Sequence, residues 1–126
     1  MCDIDFAGDS RELARHLPTA RKDHRCGECG RTIDTGEKYE RYIGSSEGRV
    51  FTAKTCSHCV RARSWLEVEC QGWLFGGVEE DLREHWDNGH HPLLLGKYVI
   101  GMRRQWRAFS GEGLMQPPPL WTGDTP

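Results

Sequence analysis

The chain has 126 residues, with 17 basic and 19 acidic side chains and a formal net charge of −2. This length favours one domain, and the balanced charge gives no overall field that favours nucleic acid or a membrane surface. No stretch approaches the roughly 20 apolar residues of a membrane span, and the acidic start lacks the basic and apolar regions of a secretory signal. We therefore expect a cytoplasmic protein, in a reducing compartment where paired cysteines more often bind metal than form disulfides.

The N-terminal segment carries a helix-start pattern. Asp9 is followed three residues later by Glu12, and this spacing is typical of an N-cap with an acidic residue at the third helical position. We predict a helix that begins here and ends before Pro18, followed by a basic loop.

Four of the six cysteines form two pairs with two residues inside each pair and 26 residues between the pairs. Zinc takes four thiolates at tetrahedral corners, about 2.3 Å from the ion. The spacing therefore predicts a zinc site that is closed, so that the metal stabilises the fold and does not catalyse a reaction. His58, between two ligands, and His24 remain open as alternative ligands. The expected zinc ligands are Cys26, Cys29, Cys56 and Cys59.

The segments between and after the cysteines predict an α+β fold. Residues 38–43 and 49–55 are rich in strand formers and predict a hairpin, and the pattern turns helical from 57 to 70. Further helices are expected over 78–86 and 93–109. The Pro/Gly-rich end predicts an extended tail over 111–126. Residues 1–110 then make a single zinc-stabilised domain, with a zinc core over about 25–70 and a helical part over about 71–110.

The last predicted helix carries an apolar stripe on one face. The apolar residues of the stripe follow one another at alternating spacings of four and three residues, so they lie on one face of the helix. This face is predicted either to pack on the domain or to pair with a second copy of the chain through 93–109. We predict that Trp106 is largely buried in either case. The stripe consists of Leu95, Val99, Met102, Trp106 and Phe109.

A cysteine knuckle, a hairpin and a helix carrying the second cysteine pair resemble a treble-clef zinc finger from Arg25 to about Cys70. That class serves in DNA binding, RNA binding, protein interaction and nucleases alike. The segments "CGECGRTIDTGEKYERYIG", "TCSHC" and "GWLFGGVEEDLREHW" also resemble small uncharacterised zinc-binding proteins of phages and prophages. This second resemblance implies an origin in a mobile element, and a phage accessory or host-directed role such as inhibition of a host defence system.

Histidines elsewhere raise the alternative of a nuclease of the HNH type. Such treble-clef nucleases carry a catalytic His on the hairpin and a metal-binding His on the helix. Here the hairpin segments and the helix after Cys59 contain no His, so we expect no enzymatic activity and rank this alternative third. The residues concerned are Asp23, His24, Asn88, His90 and His91.

Charge is unevenly placed along the chain. Residues 21–63 hold ten basic and six acidic groups, whereas residues 64–92 hold one basic and seven acidic groups. The basic region makes a DNA-binding regulator the main alternative function, with phosphate contacts and aromatic stacking. The acidic region would attract a basic protein surface. Exposed aromatic side chains ringed by charge are also typical of the hot spots of protein interfaces. We therefore predict a non-enzymatic interaction module whose partner-binding residues are Trp73, Phe75, Glu80 and Glu84.

Overall fold

The computed structural model of the protein describes residues 11–123. Within them the fold is mixed α/β, with three helices, two small antiparallel sheets and a cluster of cysteines. The strands are β1 (Arg11–His16), β2 (His24–Arg25), β3 (Thr32–Ile33), β4 (Tyr39–Ser46) and β5 (Arg49–Cys56), and the helices are α1 (Ser57–Glu69), α2 (Val78–Asp87) and α3 (Pro92–Arg103).

The prediction of a helix that begins at Asp9 is wrong over the described residues, because residues 11–16 form strand β1. Asp9 itself lies outside residues 11–123. β1 pairs antiparallel with β4, with a bulge between Glu12 and Ala14. A capping signal contributes about 1 kcal/mol of local preference, whereas pairing with β4 satisfies backbone groups along the whole segment and places Arg15 over the Tyr42 ring at 5.6 Å. Tertiary pairing therefore overrides the local signal.

The predicted hairpin is present as β4 and β5, which form a three-stranded sheet with β1 in the order β1-β4-β5. Its two-residue turn, Glu47 and Gly48, has positive φ at both positions, as the tight turn that suits twisted strands requires. The register pairs Tyr39 with Cys56 at the open end of the hairpin. The second cysteine pair is thereby delivered at the end of β5, directly before α1.

Helix α1 contacts the sheet through β4 and β5, and it also contacts α2 and α3. Its central residues are buried, including Leu66 and the charged Arg63. Arg63 pairs with the buried carboxylate of Glu40 on β4 and donates from Nε to Glu67 at 3.1 Å. A buried charge without such partners would be strongly destabilising, so this pairing fixes α1 against the inner face of the sheet.

The third helix is shorter than predicted, because it ends at Arg103 and not at Phe109. Gln105 and Trp106 adopt left-handed φ angles of 54° and 58°, and Trp106 N–H donates to Gly101 O at 2.7 Å. This reversal turns the Trp106 ring back onto the helix. The prediction that Trp106 is buried is confirmed, with 0% exposure, whereas Phe109 leaves the stripe and is 73% exposed.

The C-terminal tail has no helix or strand between 111 and 123, and it packs along α1 and α3. Tyr98 donates its hydroxyl to Pro119 O at 2.7 Å, and Trp121 N–H donates to Ser64 Oγ at 2.8 Å. Within residues 11–123, no helix combines the length and the apolar character needed to cross a membrane.

Candidate metal centre

The four predicted ligands come together in one place. Their Sγ atoms all lie within 4.8 Å of one another, and Cys29 Sγ and Cys56 Sγ are 3.9 Å apart. Tetrahedral thiolates at a zinc–sulfur distance of about 2.3 Å would be separated by about 3.8 Å. The donor set and its dimensions therefore fit a metal ion of the zinc type.

Each pair is positioned by a different local structure. The first pair lies in a tight loop between β2 and β3, in which Gly30 N–H donates to Cys26 O at 3.0 Å. Gly30 has a φ of 81°, a conformation that is strained for residues with a β-carbon. The second pair spans the last residue of β5 and the first turn of α1. Free N–H groups at a helix start favour negative charge, which suits a thiolate at Cys59.

Four N–H groups point at the sulfurs and provide hydrogen bonds that a metal-bound thiolate needs. The backbone N–H groups of Glu28 and Cys56 donate to Cys26 Sγ at 3.4 and 3.3 Å, and that of Arg31 donates to Cys29 Sγ at 3.5 Å. The indole Nε1–H of Trp106 donates to Cys59 Sγ at 3.3 Å. The last contact joins residues 47 positions apart, and no local sequence signal indicates it.

The thiols are shielded from water and compete for protons. Cys26, Cys56 and Cys59 are buried and Cys29 is half-buried. Hydrogen bonds from the neighbouring cysteines lower the pKa of the Cys26 thiol, while burial raises the pKa of the Cys59 thiol. A divalent cation would relieve this competition by favouring all four thiolates together. Within residues 11–123 the cluster holds four sulfurs and no further ligand, which gives the arrangement the closed character of a structural site.

The loop of the first pair also holds the start of α2. The Glu28 carboxylate accepts from Gly76 N–H at 2.9 Å and from Val78 N–H at 3.3 Å. These contacts satisfy backbone donors at the helix start that have no partner within the helix, and the negative charge suits the helix dipole. Burial raises the pKa of Glu28, and the two backbone hydrogen bonds oppose that shift. The metal loop and α2 are therefore coupled through one side chain.

A buried ion pair supports the same loop from the other side. Arg31 is 5% exposed and donates to Glu37 Oε1 at 2.9 Å and Oε2 at 3.1 Å. These hydrogen bonds lower the pKa of the Glu37 carboxyl. A bidentate arginine–carboxylate pair fixes both partners in one geometry, which holds Arg31, two residues after the first cysteine pair, in place.

The two histidines left open as ligands lie outside the cysteine cluster. The His58 ring packs against Trp106 with centroids 5.3 Å apart, and burial lowers the pKa of His58. His24 Nδ1 lies 3.2 Å from Lys54 Nζ and can accept a hydrogen bond from that ammonium group. Neither ring is needed to complete the four-sulfur set.

The residues considered for a nuclease lie on separate parts of the fold. Asp23 Oδ1 accepts from the backbone and hydroxyl of Thr35, beside the metal loop. His90 lies between α2 and α3, with its Nδ1 3.1 Å from His85 Nδ1. His91 packs against Trp121, and Asn88 is the C-cap of α2. Among the described residues, no hydrogen bond or ring contact joins the first region to the second.

The predicted partner-binding residues occupy two neighbouring elements. Trp73 is half-buried, with the Arg63 guanidinium 4.2 Å from its ring centroid, and Phe75 packs on Tyr42 at 4.6 Å. Glu80 and Glu84 are exposed on α2, one helical turn apart. The sequence did not indicate that the segment around Trp73 meets the hairpin, since the two are about 30 residues apart.

The chain was compared with known proteins at three levels. No protein-family model matches it, and neither does any curated protein or any solved structure.

Proposed function

We propose that the chain is a non-enzymatic interaction module, stabilised by one zinc ion bound to the four cysteines, that binds a protein partner. The knuckle, the β4–β5 hairpin and α1, which carries Cys59 in its first turn, support a treble-clef arrangement for the zinc core. The closed four-sulfur set supports a structural metal. The host-directed role implied by the resemblance to phage proteins belongs to the same proposal.

One observation supports the protein partner most directly, namely a cleft that we call the aromatic patch. It has a volume of about 370 Å³, and its wall includes Leu74 at 52% and Phe51 at 36% exposure. Apolar side chains gathered in a partly exposed, concave site are typical of hot spots. The aromatic patch consists of Tyr42, Phe51, Trp73, Leu74 and Phe75.

The patch is pre-organised by its own contacts. Two guanidinium groups lie over the Trp73 ring, that of Arg63 at 4.2 Å and that of Arg15 at 5.3 Å from its centroid, so the ring is held in place. Phe75 contacts Tyr42 and Phe51, with ring centroids 4.6 and 5.8 Å apart. A surface that is already ordered loses little side-chain entropy on binding. Leu74 and Phe75 then serve as the accessible anchors, and Trp73 supports them from below.

The acidic face of α2 supplies the charge complement. Glu80 and Glu84 are exposed one turn apart, while Glu79 beside them is already paired with Arg103 at 2.6 Å. Exposed carboxylates of this kind steer a basic protein surface toward the module. We therefore expect the partner to present an apolar side chain for the patch and basic residues for α2.

The test places a photo-crosslinking residue at Leu74 in the zinc-loaded chain and identifies the captured protein in host lysate. We expect capture to fall at least about tenfold with Phe75→Ser and with the double change Glu80→Lys, Glu84→Lys, since hot-spot losses exceed about 2 kcal/mol. Leu93, which is 82% exposed on α3, provides the matched control, and Leu93→Ser should leave capture unchanged. Equal capture by all variants would refute the proposal.

A further inference from the structure

The three-stranded sheet has a second face, on the side away from helix α1. Cross-strand partners in an antiparallel sheet point to the same side, and alternate residues point to opposite sides. Glu40, Tyr42 and Gly44 of β4 point inward, where Glu40 meets Arg63 of α1. The alternate positions of β4 and their partners therefore form an outer sheet face. That face consists of Arg41, Ile43 and Ser45 with their partners His16, Ala14 and Arg11 on β1 and Lys54, Thr52 and Val50 on β5.

A row of basic side chains crosses this face. The register pairs Arg41 with His16 on one side and with Lys54 on the other. Neighbouring strands lie about 4.8 Å apart, so the three side chains span about 10 Å. Lys54 Nζ extends the row to His24 of β2, whose Nδ1 is 3.2 Å away, and Lys22 lies two residues before that histidine. The row therefore continues past the edge of the sheet.

No carboxylate of the three strands opposes this row. The strands contain two, Glu12 and Glu40, and their register places both on the inner side. Glu12 pairs with Arg15 at 2.6 Å and Glu40 pairs with Arg63. Asp23, which stands between Lys22 and His24 in the sequence, accepts hydrogen bonds from Thr35. The outer sheet face thus presents positive charge in a chain whose net charge is −2.

We propose that the outer sheet face binds the phosphate backbone of a nucleic-acid duplex without reading its sequence. Charge complementarity selects a polyanion, because Arg41, Lys54 and Lys22 can each neutralise one phosphate and release its counterion. The face favours a duplex over a single strand, because it offers no aromatic platform for unpaired bases. Tyr39, the aromatic residue on this side of β4, is 6% exposed and lies beneath His24, with ring centroids 4.9 Å apart.

The acidic helix does not oppose this binding, because it belongs to the other side of the molecule. Helix α1 contacts α2 and meets the inner sheet face through the Arg63–Glu40 pair, whereas the register places Arg41 on the opposite face of the sheet. A duplex on the outer sheet face and a protein on the aromatic patch can then be bound together. The inference does not depend on the aromatic patch, and either surface can fail alone.

The test measures fluorescence anisotropy of a short labelled DNA duplex of mixed sequence with the zinc-loaded full chain. Three phosphate contacts give a slope of about −2.7 in log K against log salt, so binding should weaken about 40-fold between about 50 and 200 mM salt. Arg41→Gln and Lys54→Gln should each reduce the slope by about 1, and Arg41→Glu should weaken binding at least about tenfold. Lys97→Glu makes the same charge change on the exposed side of α3 and should change binding less than about threefold.

Several results would overturn the proposal. Equal weakening by Arg41→Glu and Lys97→Glu would show an effect of net charge and not of this face. Tighter binding to the matching single strand than to the duplex would contradict the choice of ligand. Binding to vesicles of anionic lipid without binding to the duplex would assign the face to a membrane. The protein could instead self-associate at low salt without binding the duplex. If Glu80→Lys abolished that self-association, the outer sheet face would be assigned to binding a second copy of the chain. Zinc content and the thermal midpoint of each variant establish that it is folded.

Discussion

The hydrogen bond between the Trp106 indole and Cys59 Sγ links the end of α3 to the candidate metal centre, and Trp106→Phe removes it while keeping an aromatic ring at this position. Trp106 is fully buried, and its Nε1 lies 3.3 Å from the sulfur. Hydrogen bonds to charged groups contribute about 1.5–3 kcal/mol, and a metal-bound cysteine is a thiolate. Trp106→Phe also leaves a small cavity, because a phenyl ring is smaller than an indole, and should lower the free energy of unfolding of the zinc-loaded protein by at least about 2 kcal/mol. Trp106→Ala leaves a larger cavity and should cost about 3–5 kcal/mol.

The measurement is guanidinium unfolding followed by circular dichroism under reducing conditions, with one equivalent of zinc. A competition with a chromophoric chelator on the same samples reports zinc affinity. If the indole N–H stabilises the thiolate, Trp106→Phe should lose zinc to the chelator more readily than the wild type does. An unchanged midpoint together with unchanged zinc competition in Trp106→Phe would refute the role of this hydrogen bond.

A substitution at Gly101 tests the packing of the same ring without changing the Trp106 side chain itself. A β-carbon at Gly101 would lie 2.2 Å from the ring of Trp106, which is closer than any real contact. Gly101→Ala should therefore displace the indole and cost about 1–3 kcal/mol through overpacking. Ile100→Ala, at the exposed neighbouring position of the same helix, serves as the control and should leave zinc affinity unchanged. A stable Gly101→Ala variant with full zinc affinity would contradict the packing argument.

Two further predictions concern the first cysteine pair. Purified protein should carry about one zinc per chain, which elemental analysis measures. Cys29→Ser should lower the free energy of unfolding in urea by several kcal/mol, because metal binding is coupled to folding. A metal-free chain that keeps its fold would contradict this prediction. Glu28→Ala should cost about 1–2 kcal/mol, as loss of a helix cap does, and amide hydrogen exchange should rise first in α2. Exposed Glu112→Ala is the matched control, and equal exchange in α2 in both variants would count against the coupling.

The sequence predicts those parts of the structure whose signal is local or fixed by ligand chemistry. Four cysteines with this spacing predict a metal site because zinc limits the number and kind of its ligands. The hairpin follows from strand-forming residues on both sides of a short Gly-containing loop. The α2 boundaries follow from "VEEDLREHW", whose acidic start suits the helix dipole.

The remaining parts depend on partners that are distant in the chain. The segment at Glu12 has a helical start signal, and only the free edge of β4 makes it a strand. The apolar spacing of α3 extends to Trp106 and Phe109, yet spacing alone cannot distinguish one more helical turn from a chain reversal. The cap that Glu28 gives α2 and the hydrogen bond from Trp106 to Cys59 join positions 48 and 47 residues apart. Periodicity carries no information about contacts of this kind.

The same loop supports both proposed binding surfaces, which links them to the metal. Gly27 N–H donates to Lys54 O at 2.8 Å, so the loop of the first cysteine pair fixes the strand that carries Lys54 on the outer sheet face. Glu28, the next residue, holds Gly76 directly after Phe75 of the aromatic patch. Metal loss would release this loop and loosen both surfaces in one step, because metal binding and folding are one equilibrium in small sites of this kind. A closed site of four thiolates can therefore control binding without contacting either partner.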